Sequence, residues 1–507
     1  MLAVSLSSGC SQRKNYAEEK ITTEAFSDMK APAFVYDLPA IRKQLADMAR
    51  QDHGKTDADQ HTRSYYLDAQ HLLWVDKAGV GSRADSLLSW LHQVGTIGMT
   101  ERSFGVKTIE QDLQRLRSLA FDEQKNSINH VIARLEYALT KACMRYTYGH
   151  RFGFVNPHRA FNYLLPQKQD STGRVLRYYG LFDVDMDLPD TLFAHALFSK
   201  IANDSIASYL HAIQPKGAYY RQLLQMLDST TDDSRRQLIL CNLERSRWHL
   251  KHPIPDTGKR IVVNIPAFHL YAYNADSVLD MKVVCGATTT RTPQLSSEIE
   301  RMEVNPQWVI PMSIISNDVA HHAGDASYFG RHRYKIYDRA TNKQLSVGEV
   351  SRQMMLSGKY RVAQDGGAGN SLGRIVFRFN NKFSVFLHDT SNPGAFAREV
   401  RSLSHGCVRV SKPFELARFV LDSPDEWLLD KIHISMGLGA TTSRGREYLA
   451  SHPDDTKLVS HLQVSPRVPL YIIYNTLWPD QNGVIRAWND IYGYDRVIWE
   501  RLKTYMQ

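Results

Sequence analysis

A histidine closing an apolar run and a cysteine in a glycine-punctuated string are the two side chains here best suited to act together. His388 ends FSVFLH, and Cys407 stands 19 positions further on, in Ser404-His405-Gly406-Cys407. A free thiol ionises near 8.5, and only its thiolate attacks carbonyls well. An imidazole beside it can take the proton, then return it to a leaving amine or accept one from an attacking amine. Gly406 lets the backbone bend freely next to the sulfur, so N–H groups around Gly406 and Cys407 could face a developing oxyanion. By residue type alone, a structural Cys and His near a glycine explain the string equally well.

The flanking pattern supplies what such a pair needs. Residues 383–387 alternate like a strand, and Val408-Arg409-Val410 form a second strand-like triplet. A polar loop with Asn392-Pro393-Gly394 lies between, so strand, loop, strand can bring His388 beside Cys407. Ser411 and Pro413 then predict a helix through Leu421, with Ser411 as cap. Upstream, RIVVNIPAFHLYAYN reads as two strands, 281–285 and 300–310 continue the β pattern, and 375–379 resumes it. Near the end, LYIIYNTLW and VIRAWNDIY flank a turn at 479–483 and predict a hairpin.

The other half is different in texture. From about 33 to 247 the pattern is mostly helical, clearest at 127–146, where Ile128, Val131, Ile132, Leu135, Leu139, Ala142, Cys143 and Tyr146 make one stripe. Helices are also expected at 191–202, 218–228 and 236–250. Cys143, Cys241 and Cys285 read as core residues. HPIPDTGK at 252–259 punctuates like a linker.

The string S-H-G-C-V-R, preceded by H-D-T, resembles the active-site motif of the YkuD-type L,D-transpeptidases: a His, a gap of about 16 residues, then Ser/Thr-His-Gly-Cys. Here 15 residues separate His388 from Ser404. RIVVNIPAFHLYAY, VNPQWVIP, NSLGRIVFRF and SHGCVRVSKPFELARFVL resemble the large YcbB-like branch in order. RSYYLDAQHLLWVD, ARLEYALTKACMRYTYGHRFG and SYLHAIQPKGAYYRQLL are similar to its helical scaffold. The implied fold class is α+β: a tail and tether at 1–32, a helical scaffold domain at 33–250, a β-rich catalytic domain at 258–435 with a capping insertion at 312–370, and an extension with a hairpin at 436–507.

The resemblance implies that Cys407 attacks the diaminopimelate carbonyl of a donor tetrapeptide stem in peptidoglycan. D-Ala leaves, and the side-chain amine of an acceptor stem resolves the thioester into a 3-3 cross-link. His388 handles the protons, oriented by the backbone carbonyl of Asp389, whose side chain need not take part. Carbapenem-type inhibitors are expected to acylate Cys407. No metal or organic cofactor is expected. The sequence departs from the branch at His405, where many members have Ser, and at Phe386, often Tyr, so a hydroxyl contact there is lost. Residues 230–250 follow YYRQLL directly, without the branch's usual small peptidoglycan-binding domain. A hydrolase on the same fold, an L,D-carboxypeptidase or one that releases a wall protein, and a non-catalytic wall binder stay open as alternatives.

Arg409 and Arg374 suit stem carboxylates, since guanidinium matches a carboxylate fork. His405, Ser404, Asn370 and Ser371 complete the expected substrate-binding set, and Trp308 is a candidate wall. His321, His322 and His332, near Asp318 and Asp325, lack a known ligand spacing and read as a solvated loop.

Composition agrees with an ordinary globular chain: 507 residues, 43% hydrophobic and 23% charged, with roughly two to four domains expected. The net charge of +9 is scattered, and no nucleic-acid motif accompanies it, so nucleic acid is not an expected partner. Five cysteines without a CxxC pair support neither a disulfide framework nor a zinc site. MLAVSLSSGC resembles the tail of a lipoprotein signal, with Cys10 as the acylated residue, although a basic n-region is missing and Ser7 stands where Leu is usual. The expected location is the cell envelope or periplasm, with a possible lipid anchor; the sequence leaves the oligomeric state open.

Overall fold

The computed structural model describes residues 32–506, apart from 69–70, 77–78, 276 and 481; Cys10 lies outside the described residues. The chain folds as α+β, a helical N-terminal region followed by a β-rich one.

The scaffold is organised around one long helix. Helices α1 (Leu38–Gln51) and α2 (Asp57–Leu67) pack on α3 (Ile128–Phe152). The apolar stripe of α3 runs longer than its sequence signal, to Phe152, and every member of the stripe is buried, including Cys143. Thr56 caps α2 with a reciprocal box to Asp59, satisfying donors that would otherwise be orphaned. Helix α4 (Asp233–Arg247) carries the buried Cys241 and leads to the linker. The region also holds an exposed hairpin, Pro166–Gln169 with Val175–Tyr178, which the helical pattern did not announce.

Glu136 sits fully buried on α3, accepting from the backbone N–H groups of Leu73, Trp74 and Val75 and from the Tyr66 hydroxyl. Burial pushes its carboxyl up to about 7 despite those donors. The folded state therefore holds this proton more tightly than the unfolded chain, whose value is 4.5. Stability from this site is full below about pH 4.5 and is lost as pH rises toward 7, about 3 kcal/mol in all. Denaturant titrations at pH 4.5 and 7.5 should show this loss in the parent and not in Glu136→Gln; equal slopes would refute it.

The β-rich region is a closed barrel. Its strands are β1 (Arg260–Asn264), β2 (His269–Asn274), β3 (Ser277–Gly286), β4 (Gln294–Val304), β9 (Ile375–Phe379), β10 (Leu387–His388), β12 (Val408–Val410) and β13 (His461–Ile473). They pair in the order β9-β10-β12-β3-β2-β1-β13-β4, and β4 pairs back onto β9, leaving no free edge in the ring. Strand β11 (Ser402–Ser404) lies parallel against the end of β3. Between β4 and β9 is an insertion with its own small sheet: β5 (Trp308–Val309), β6 (Tyr334–Asp338), β7 (Gln344–Leu345) and β8 (Tyr360–Gln364), in the order β5-β8-β6-β7. Ile310, Ile315, Val319, Phe329, Ile336 and Val362 form a separate core beneath it.

Three expectations need correction. The segment LYII does not fold back as a hairpin arm: β13 enters the barrel between β1 and β4, so the last seventy residues are not a mere extension. The hairpin that does form is smaller, Leu477–Pro479 with Ile485–Ala487. Ser411 does not cap the helix α5 (Pro413–Val420); its N–H goes to Lys282, and Lys412 stands at the cap without a side-chain bond.

Candidate active site

Strands β10 and β12 run parallel, with Leu387 opposite Val408 and His388 opposite Arg409. Side chains alternate along a strand, and paired residues share a face. Phe386, His388, Cys407 and Arg409 therefore project from one face, with sulfur and imidazole as diagonal neighbours. The bond from Val408 N–H to the Phe386 carbonyl, 3.1 Å, fixes this register. Cys407 is partly exposed, so its sulfur is within reach of a ligand. Its thiol leans toward the Ser384 carbonyl, 3.9 Å away.

Burial pushes the Cys407 thiol up to about 11; the Phe386 backbone, Arg378 and Arg409 partly oppose it. His388 is 4% exposed. Burial first, then the Arg409 charge, brings its imidazole down to about 4, while backbone groups of Asp389 and Leu372 hold it up. Its Nδ1 makes no regular hydrogen bond. At neutral pH this face thus carries a thiol and a neutral imidazole.

The loop that carries the sulfur is held from inside. Ser404 Oγ donates to the Cys407 carbonyl (2.6 Å) and accepts from Gly406 N–H (3.1 Å). Thr292 Oγ1 donates to the Gly406 carbonyl (2.8 Å) and accepts from Gly286 N–H (2.8 Å). Behind these, the Tyr492 hydroxyl donates to the Gly286 carbonyl (2.6 Å) and accepts from Thr292 N–H (3.2 Å). Gly406 adopts φ +118°, where an L side chain is strained, although space for a Cβ exists. Conformation, not crowding, demands glycine here.

Two expected substrate contacts are structural instead. Asn370 is fully buried: its Nδ2 donates to the carbonyls of Pro306, Gln364 and Asp365, and its Oδ1 accepts from Leu372 N–H. Both strands that join the cap to the barrel are knotted through it. Ser404 is buried with its hydroxyl spent inside the loop. Gly406 N–H is likewise committed to Ser404.

The remaining residues divide by position. Arg409 lies opposite His388, with its buried Nε unpartnered. Arg374 points away, donating to the Gly437 carbonyl at 3.3 Å. Ser371 is half-buried and gives its backbone N–H to Gln364. His405 is exposed on the outside of the loop. Asp389 accepts from Arg374 N–H (2.8 Å) and lies over Gly373, so its side chain fixes the turn entering β9. Trp308 belongs to the cap core, half-buried. His322 stacks on Tyr328 at 3.8 Å, and His332 bonds the Tyr328 carbonyl; among the described residues no group of three His, Cys, Asp or Glu is placed to hold a metal.

Arg378 escaped the sequence reading. It lies 4.3 Å from the Phe386 ring centroid, pairs with Glu303 at 2.9 Å, and bears on both Cys407 and His388. An arginine interrupting the apolar strand IVFRF was the available signal. Thr292 and Tyr492 had none, since their role depends on the distant loop they support.

Residues 258–442 match the family model of the L,D-transpeptidase catalytic domain (YkuD), and residues 59–227 match that of the Scaffold domain. The chain is 31% identical over 317 residues to a Haemophilus influenzae protein named "Putative L,D-transpeptidase", an alignment covering 61% of this chain and 60% of that relative. It therefore spans less than two thirds of the curated relative's length. The Ser404–Cys407 loop lies inside the first matched domain and helix α3 inside the second: the chain carries a YkuD-type L,D-transpeptidase catalytic domain joined to a Scaffold domain, the YcbB-like architecture.

Proposed function

We propose that this protein forms 3-3 cross-links in peptidoglycan outside the cytoplasmic membrane, by thioester catalysis at Cys407. The reading rests on one observation above all: a partly exposed thiol and a neutral, buried imidazole share one face of adjacent strands. His388 takes the thiol proton as sulfur attacks the diaminopimelate carbonyl of the donor stem. The proton passes to the departing D-Ala amine, and the acyl group stays on sulfur. An acceptor amine then attacks the thioester, gives its proton to His388, and restores the thiol. Cys407 N–H faces the developing oxyanion, and Arg409, with an unpartnered Nε, suits a stem carboxylate. Carbapenems would acylate the same sulfur. A lipid on Cys10 would hold the enzyme at the membrane.

The test is incubation with purified disaccharide tetrapeptide and mass analysis of the products. A cross-linked dimer with loss of D-Ala is expected. Tripeptide alone would make the protein a hydrolase, and unchanged substrate would make it a binder; either result overturns the proposal.

A further inference from the structure

The face that carries Cys407 and His388 continues past them, across β9 and onto β4. Val376 on β9 is opposite His388, so Arg378, two residues on, shares that face. Glu303 and Arg301 of β4 stand opposite Val376 and Arg378 and share it too. The Arg378 guanidinium lies 4.3 Å from the centroid of the half-buried Phe386 ring, and the Phe386 carbonyl accepts from Val408 N–H. Cation, ring and sulfur therefore follow one another across β9, β10 and the start of β12. Arg378 Nη2 donates to Glu303 at 2.9 Å, whereas Nη1 meets no acceptor among the described residues. The side chain is 27% exposed, so a ligand can reach it. Charge does not balance here. Glu303 is shared between Arg378 and Arg301, at 2.9 and 3.5 Å, while Arg409 pairs with no carboxylate among the described residues. A positive excess remains beside the thiol.

Proton transfer dictates where a donor stem must lie. His388 stands on β10 and hands its proton to the departing amine, so the nitrogen of the terminal D-Ala sits over β10. The acyl half then extends to the β12 side, toward Arg409, and the D-Ala carboxylate toward β9. Its oxygens reach about 4.8 Å from the scissile carbon, one strand spacing. That brings them over the Phe386 ring, within hydrogen-bond reach of the guanidinium upon it. Arg374, the other arginine near β9, points away to the Gly437 carbonyl. We infer that Arg378 is a specificity residue that binds the terminal carboxylate of the donor stem and so selects a stem ending at the D-Ala that leaves; this rests on the thioester reaction proposed above. A longer stem would offer a neutral amide at that point, a weaker partner for guanidinium than a carboxylate.

Release of the leaving group by full-length protein should be compared for a disaccharide tetrapeptide ending in D-Ala and the same compound ending in D-alaninamide. The amine of D-alaninamide is less basic and departs more readily, so a slower reaction reports recognition. The parent should prefer the acid by about tenfold or more in kcat/KM, mainly through KM. In Arg378→Gln the preference should shrink to about threefold or less, and Arg378→Lys, which keeps the charge without the fork, should retain part of it. A ratio taken within one variant does not depend on how much of it is folded. No preference in the parent, an undiminished preference in Arg378→Gln, or a variant that instead loses discrimination against stems amidated at diaminopimelate would overturn the inference. If the parent releases neither leaving group, the thioester reading fails, and calorimetry with the same two compounds decides this one. The acid must then bind the parent about tenfold more tightly than the amide, and Arg378→Gln must not show that difference.

Discussion

Cys407→Ala should abolish both D-Ala release and cross-link formation, lowering turnover by about 10³-fold or more, the scale on which removal of a covalent nucleophile acts. No other described thiol can substitute. Cys143, Cys241 and Cys285 are all buried, and burial pushes the thiols of Cys143 and Cys285 up to about 12 and raises that of Cys241 well above its ordinary value. Cys407 alone among them is partly exposed. Intact-protein mass spectra after carbapenem treatment provide the second readout: one adduct, on the peptide containing Cys407, and none in the variant. Retained turnover in Cys407→Ala, or an adduct elsewhere, would remove the basis of the proposed chemistry.

The second large effect concerns His388. With imidazole near 4 and thiol near 11, the competent neutral pair persists across most of the pH range between them. The parent kcat/KM should fall only as acid protonates His388 toward pH 4, and stay level well past the ordinary cysteine value. His388→Gln should lose about 10³-fold at pH 7, because no base then ionises the thiol. Its residual rate should climb nearly tenfold per pH unit toward about 11, following unaided thiolate formation. A parent profile bell-shaped around pH 6.5–8.5, or a variant with no pH slope, would contradict this assignment. The parent comparison matters because a general loss of structure would lower the rate without creating the slope.

Much of this was readable beforehand because it is local. The stripe on α3, the strand–loop–strand unit and the Ser404–Cys407 string are short patterns whose physics lies within a few residues. What could not be read is long-range. Asn370 was expected to touch substrate because its stretch resembles the family's groove, and a polar side chain carries no mark of burial; only the fold shows its amide spent on three carbonyls. Gly406 was rightly singled out for freedom of conformation, yet its N–H is turned inward by Ser404, a detail set by loop closure. Residues 383–387 alternate like a strand, but Asn381 Oδ1 takes the N–H groups of Phe383 and Val385, and regular pairing begins only at Leu387. Thr292 and Tyr492, which stand behind the loop, occupy places where the sequence shows no chemistry.

Because β13 closes the ring, the order in which the chain becomes available matters. Asn264 and Asn475 exchange hydrogen bonds across 211 positions, and Tyr492 braces a loop whose nucleophile is synthesised long before it. Such distant pairings are slow to find one another, since much chain must be closed before any reward is gained. During synthesis the thiol is therefore present well before the strand and the tyrosine that hold its loop in place. On the proposed chemistry, a nascent fragment ending before residues 461–495 carries Cys407 without the strand that closes the barrel or the tyrosine that braces the loop.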